Sequence, residues 1–198
     1  MRRIIFALLF SLSLTACGID TTGLSSLSSR TLKGPVGAIK VTEYADLQCP
    51  ACKASHEQII KPMLAEYGDR IQFEFKHFPL RRIHPFALAA AEASECAADQ
   101  GKFWEFIDLA YAKQDLLSTA ALPEWATELQ LDLSLFERCT RSNIKEELIL
   151  ADYSEGEKLG VSGTPSFFVE GIRVERNNLE FLKAANDQAL LKRAGQKL

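Results

Sequence analysis

The chain has 198 residues, of which 47% are hydrophobic and 25% charged. That is enough apolar material for one good core, or for a small core with an inserted subdomain, and it excludes a chain disordered by composition. A formal charge of -3 argues against a nucleic-acid protein, which normally carries a strongly basic face, and against charge-driven attraction to acidic partners.

The first stretch, MRRIIFALLFSLSLTAC, has a basic start at Arg2 and Arg3 and an apolar run from Ile4 to Leu14. The run falls short of the roughly 20 residues that span a bilayer, so residues 1–16 read as an export signal peptide. The arginine pair lacks flanking support for the twin-arginine route and reads as an ordinary n-region. The tetrapeptide LTAC, ending at Cys17, resembles the lipobox of bacterial lipoproteins. That resemblance implies that Cys17 is acylated as the mature N-terminus and anchors the protein to a membrane; the alternative is a plain cut near Ala16. By the same resemblance, Gly18 after the cysteine implies the outer membrane in a two-membrane bacterium. Residues 17–34 are rich in Ser, Thr and Gly without a usable period and read as a flexible tether.

Ala38 to Leu47, AIKVTEYADL, reads as a strand that feeds into CPAC. A helix follows, kinked or broken at Pro62. Ile71 to Phe78, IQFEFKHF, alternates large and polar residues and reads as a second strand, which makes a βαβ unit with a parallel pair. From about His84 to Gly160 the chain is helical and alanine-rich. The stretch TPSFFVEGIRVERN then gives two short runs around Glu170 and Gly171, a hairpin signal, and an amphipathic helix closes the chain. There is no internal repeat. The fold class is therefore α/β, with one domain over 35–82 and 161–198 and a helical domain inserted at 83–160.

Five cysteines are an odd count for an exported chain. Lipidation of Cys17 would leave two pairs, Cys49 with Cys52 and Cys96 with Cys139, in a compartment that permits disulfides. In CPAC, Pro50 suits the first position of a helix, which makes Cys49 the N-cap and puts Cys52 one turn in on the same face. Unpaired N-H groups and the helix dipole at that end favour a Cys49 thiolate, while Cys52 should be more buried and act as the resolving thiol. Two other readings of CxxC are half a zinc site and a purely structural disulfide. Zinc would need a second closely spaced pair, and Cys96, Cys139, His56, His77 and His84 are scattered, so no metal is expected.

The stretch GVSGTPSFFV places Thr164 and Pro165 at the start of a strand, where a residue without an N-H fits the ladder; an ordinary trans proline in a turn is the alternative. The strand edge beside Thr164 suits an extended substrate segment pairing by strand addition. Glu43 shares a strand face with Ile39, Val41 and Ala45, which predicts an inward carboxylate with a raised pKa; the alternative is a solvated glutamate beside Lys40 and Asp46. An inward Glu43 would relay a proton to and from Cys52.

With CPAC, the helical block, GTPSFFV and the run HFPL...HPFALAAAEASECAADQGKFWEF in this order, residues 35–198 resemble the DsbA-like thiol-disulfide oxidoreductases. The resemblance implies a thioredoxin fold with a helical domain inserted before a cis-proline strand, Pro165 being that proline. It implies Cys49 and Cys52 as the redox disulfide, Pro50 and Ala51 as the active-site turn, and Thr164 and Pro165 as the substrate-binding segment. It also implies a buried glutamate six residues before the first cysteine, where Glu43 stands. One departure is Ala51, which replaces a histidine that helps stabilise the thiolate in the best-known oxidase of the family.

Cys96 and Cys139 read either as a structural disulfide or as two buried free thiols. Phe103, Trp104, Phe106 and Trp125 read as packing residues, Lys76 with Arg81 and Arg82 as a solvated basic patch, and His56 as a residue near enough to tune Cys52. The leading function is a lipid-anchored, monomeric dithiol oxidase of the cell envelope, facing the periplasm or extracytoplasmic space. It would donate the Cys49-Cys52 disulfide to exported proteins with free cysteines. It needs no cofactor beyond the cysteine pair, and a quinone-linked membrane partner would reoxidise it. The alternatives are a reductase or isomerase kept reduced by a membrane electron donor, and a copper(I)-binding lipoprotein.

Overall fold

The computed structural model describes residues 19–195. The signal peptide read over 1–16 and the lipidation read at Cys17 lie outside the described residues. Among the described residues no helix is long and apolar enough to cross a membrane.

Strand β1 (Ile39–Ala45) pairs in parallel with β2 (Ile71–His77), Ile39 opposite Ile71. On its other side β1 pairs antiparallel with β3 (Ser166–Val169), which pairs antiparallel with β4 (Ile172–Arg173), giving the sheet order β2-β1-β3-β4. The parallel crossover runs through α1 (Pro50–Ser55), one wide turn at His56–Ile60, and α2 (Lys61–Tyr67). The kink expected at Pro62 is this wide turn. Proline removes one N-H and crowds the carbonyl four residues back, and an extra residue in the turn relieves the clash without stopping the helix. Glu170 and Gly171 both adopt positive φ, 50° and 77°, as a tight hairpin turn of this hand requires.

Period-two alternation sends Ile39, Val41, Ile71, Phe73, Phe167 and Val169 to the face covered by the wide turn, α2 and the last helix, α8 (Leu179–Gly195). Tyr44 and Phe168 point to the other face, with Phe78 and Tyr153. The inserted block comprises α3 (Ala87–Ala98), α4 (Phe103–Ala112), α5 (Ala121–Glu128), α6 (Leu133–Ser142) and α7 (Glu146–Lys158). Asn143, with φ 51°, turns the chain out of α6 and separates two helices that the sequence pattern ran together. Gly156 lets α7 approach the sheet, since a Cβ there would stand 2.8 Å from the Phe78 ring. Phe103, Phe106 and Trp125 are core residues, as their helical spacing predicts, and Trp104 packs against that core.

The cysteines of the block, Cys96 on α3 and Cys139 on α6, are bonded to each other. They staple two helices of the insertion and are not free to serve as metal ligands.

Composition suggested a flexible tether over 17–34; in the structure the chain is instead laid along the body from Leu24 to Lys33. Leu24 packs on the helical core, and Lys33 forms an antiparallel bridge with Phe73 on the free edge of β2. The Trp104 Nε1-H donates to the Thr31 carbonyl, 2.9 Å away. Lys145, 0% exposed, donates to the Leu27 carbonyl at 2.7 Å and to Asp99 at 2.8 Å. Arg30 forms ion pairs with Asp152 at 2.7 Å and Glu95 at 3.1 Å, and Glu95 is also bonded to His77. Burial works to raise both carboxyls, but these partners hold each of them below its ordinary value. Lys76 belongs to the same network, 3.3 Å from Asp152 and 2.7 Å from Glu155, so it does not join the exposed Arg81 and Arg82 in a solvated patch.

Candidate active site

Cys49 caps α1 from an extended backbone conformation and Pro50 begins the helix. The N-H groups of Cys52 and Lys53 both donate to the Cys49 carbonyl, at 3.0 and 3.1 Å. Five further contacts set the approach to this turn. Asp46, just past β1, accepts from the Gln48 N-H at 2.7 Å and the Leu80 N-H at 2.9 Å, and pairs with His84 Nδ1 at 2.7 Å. Gln114 reaches in from the insertion and donates to the carbonyls of Leu47 and Cys49, at 2.8 and 3.1 Å.

Both thiols are free, and the site treats them oppositely. Cys49 is 7% exposed and its sulfur lies 3.5 Å from the Thr164 carbonyl. A hydrogen bond from the Cys52 thiol lowers the Cys49 pKa to about 5. Burial opposes that change, while the Thr164 side chain and the N-H groups of Cys52 and Ala51 add to it. Cys52 is 0% exposed, and burial pushes its thiol well above the ordinary value; its bond to Cys49 and the charges of Glu43 and Cys49 push the same way. The cysteine pair is thus a low-pKa, partly reachable sulfur beside a protonated, enclosed one.

Glu43 is 2% exposed, on the strand face expected from its alternation with Val41 and Ala45. Burial raises its carboxyl to about 8, and a hydrogen bond from Ser55 Oγ, 3.5 Å away, pulls modestly the other way. The phenol of Tyr111 on α4 is fully buried in the same region, beside Cys52 and Glu43, and has no hydrogen-bond partner among the described residues. The peptide bond between Thr164 and Pro165 is cis. A cleft of about 330 Å³ separates α1 from this loop. Ala51, Ala54, Ser55 and Gln58 line one wall and Thr164 and Pro165 the other.

The structure therefore brings together Glu43, Cys49, Pro50, Ala51, Cys52, Thr164 and Pro165. His56 turns away to Asp108, its Nε2 2.6 Å from the carboxylate. Ser55, Tyr111, Gln114 and Asp46 are parts of the site that the sequence reading missed. Only Asp46 carried a local signal, an Asp two residues before the N-H its side chain accepts from, the mark of an Asx turn.

A protein-family model described as Thioredoxin matches residues 35–188. The chain is 40% identical over 156 residues to Na(+)/H(+) antiporter NhaA 3 of Salinispora tropica, and 39% identical over 156 residues to Na(+)/H(+) antiporter NhaA 1 of Salinispora arenicola. Each match covers 78% of this chain but only 24% of the relative, so the chain spans about a quarter of those proteins. Among solved structures, Wolbachia pipientis alpha-DsbA1 superposes with a TM-score of 0.73 at 24% identity, covering 84% of this chain and 94% of that one. A thioredoxin-like oxidoreductase from Silicibacter pomeroyi gives 0.70 at 23% identity, covering 81% and 92%. Pseudomonas aeruginosa DsbA2 gives 0.66 at 25% identity, covering 80% and 92%.

Proposed function

The chain belongs to the thioredoxin family and has the DsbA-like form of its fold, and from that premise we propose that it is a thiol-disulfide oxidoreductase working as a dithiol oxidase of the cell envelope. One observation carries the direction: the Cys49 thiol is lowered to about 5 while the Cys52 thiol is raised. A sulfur ionised at neutral pH stabilises the reduced pair, and whatever stabilises the reduced pair makes the disulfide a better oxidant. Moving the thiol from 9 to about 5 is worth roughly 3 kcal/mol at pH 7, or about 60 mV toward the oxidising end.

In the proposed cycle a substrate thiolate attacks Cys49 Sγ of the disulfide form. The Cys49-Cys52 bond breaks, a mixed disulfide forms at Cys49, and Cys52 leaves as a thiolate. Glu43, holding a proton in its buried site, gives that proton to Cys52. The second substrate thiolate then attacks the mixed disulfide and expels Cys49, which is a good leaving group because its thiolate is stable. Pro165 and Thr164 border the cleft where an extended substrate segment would lie against Cys49. A membrane partner accepting two electrons would restore the disulfide. No cofactor beyond the cysteine pair enters the cycle, and export with lipid attachment at Cys17 would place it outside the cytoplasm.

Two measurements test the reading together: the reduction potential of the pair in glutathione buffers, and the Cys49 thiolate titration by absorbance. An oxidase requires a potential clearly above the thioredoxin value of about -270 mV, toward the DsbA value of about -120 mV, and an acidic Cys49. The oxidised protein should also convert a reduced dithiol peptide faster than its Cys49→Ser variant does. A potential at the thioredoxin end would make it a reductase.

A further inference from the structure

Proton transfer at Cys52 poses a problem of access. Cys52 and Glu43 are both enclosed, so each turnover that moves a proton between them leaves Glu43 to recover or lose one without touching bulk water. Glu43 has one hydrogen-bonding side-chain partner among the described residues, Ser55, which donates to Oε1 at 3.5 Å. Ser55 is the last residue of α1 and is itself buried, yet it lines one wall of the cleft between that helix and the Thr164-Pro165 loop. It thus touches the buried acid on one side and the open cleft on the other. The titratable groups facing Glu43 are Cys52 on α1 and Tyr111 on α4, both enclosed, so neither offers a way out.

We propose that the Ser55 hydroxyl is the link through which Glu43 exchanges protons with water in the substrate cleft. This rests on the reading of Glu43 as the proton carrier for Cys52. After Glu43 has protonated the departing Cys52 thiolate, Ser55 passes its hydroxyl proton to the Glu43 carboxylate and takes one from a cleft water. The hydroxide left in the cleft is neutralised by solvent or by the proton of the incoming substrate thiol. The serine returns to its starting form, no electrons move, and the reverse sequence serves the re-forming disulfide. Because the cleft that admits the proton is also the one a substrate segment would fill, proton exchange is fast when the cleft is open and slow while substrate lies in it. Ser55 is thus a positioning residue that acts through Glu43.

The test is multiple-turnover oxidation of a reduced dithiol peptide by the full chain, with glutathione disulfide in excess as the reoxidant, followed across pH 5 to 9 in H2O and D2O. Removing the hydroxyl in Ser55→Ala should slow the pH-dependent step about tenfold, the low end for loss of a proton-transfer group, and should change its solvent isotope effect. Ser55→Thr keeps a hydroxyl and should stay within about twofold of the parent. In a Glu43→Gln background Ser55→Ala should add no further loss, because the link then has nothing to serve. The Cys49 thiolate titration should be unmoved by Ser55→Ala. An unchanged rate in Ser55→Ala overturns the proposal. So does an equal loss in Ser55→Ala and Ser55→Thr, or a loss of the same size with Gln at position 43, each of which marks a packing role. If Glu43→Gln alone leaves the rate and its pH profile intact, the reading of Glu43 fails instead, and the link falls with it.

Discussion

The enclosed carboxyl of Glu43 should make itself felt in stability as well as in rate. Its pKa stands at about 8 in the folded chain against an ordinary 4.5. Between those values the folded protein holds a proton that the unfolded chain has lost, so stability falls as pH rises, by about 1.4 kcal/mol per pH unit. No penalty is present below pH 4.5; it reaches roughly 3 kcal/mol at pH 7 and about 5 kcal/mol once the folded carboxyl ionises above pH 8. Glu43→Gln keeps the shape and removes the charge, so it should match the parent near pH 4.5 and exceed it by several kcal/mol near pH 8.5. Urea denaturation of the reduced protein at pH 4.5, 7 and 8.5, followed by circular dichroism, measures this directly. Only the difference between parent and variant is diagnostic. Cys49, lowered to about 5, contributes the opposite trend in both proteins, gaining stability as pH rises from 5 to 9. Parallel curves for the two proteins would mean that Glu43 is ionised in the folded state throughout. It would then have no proton to give Cys52, and the proposed cycle would lose its acid.

Three further outcomes follow from the packing. Replacing both Cys96 and Cys139 by alanine opens a loop spanning 43 residues and should cost about 4 kcal/mol in denaturation midpoint analysis; a loss under 1 kcal/mol would show that the staple carries no load. Arg30→Ala leaves Glu95 and Asp152 buried without their cation and should cost about 3 kcal/mol near neutral pH, less below pH 4 where the carboxylates protonate, as measured by thermal unfolding at both pH values. Gly156→Ala drives a methyl into the Phe78 ring and should cost about 1 to 3 kcal/mol with the Cys49 titration unchanged; a shifted titration would mean that α7 packing reaches the active site.

Much of this arrangement was legible from short-range pattern. The period-two alternation of IQFEFKH and the parallel βαβ unit depend on neighbours in sequence, and so does the cap geometry of CPAC, where a proline fixes which cysteine stands at the helix start. Glu43 was legible for the same reason: alternation alone turns it inward beside Val41. What was hidden depends on contacts between distant segments. The stretch from Leu24 to Lys33 has the composition of a tether, and only its partners on α3, α4, α7 and β2 make it a docked strap; Arg30 and Asp152 are brought together by the fold with no spacing rule to announce them. Ser55 carried no signal of its own in the sequence. Its importance comes from the strand behind it and the cleft in front. The wide turn before Pro62 and the left-handed Asn143 show a milder form of this limit, since pattern marks a disturbance but several geometries can absorb it.

The helical insertion is best understood as part of the active site. Glu43 shares a strand face with Ile39 and Val41, which the crossover helices cover, and Cys52 packs in an apolar core shared with the insertion. Tyr111 of α4 stands near enough to both groups to feel their charges, and Gln114 just beyond α4 holds the carbonyls of Leu47 and Cys49. The same apolar core contains Cys52, Phe103, Phe106 and the Cys96-Cys139 staple. Burial is the leading cause of the upward shifts of Glu43 and Cys52, while the Cys52 thiol, kept protonated by that burial, is what lowers Cys49. The oxidising character proposed for Cys49 is therefore a consequence of enclosing its partner. Loosening the insertion, by opening the staple or by removing Gln114, should bring all three groups back toward their ordinary values together.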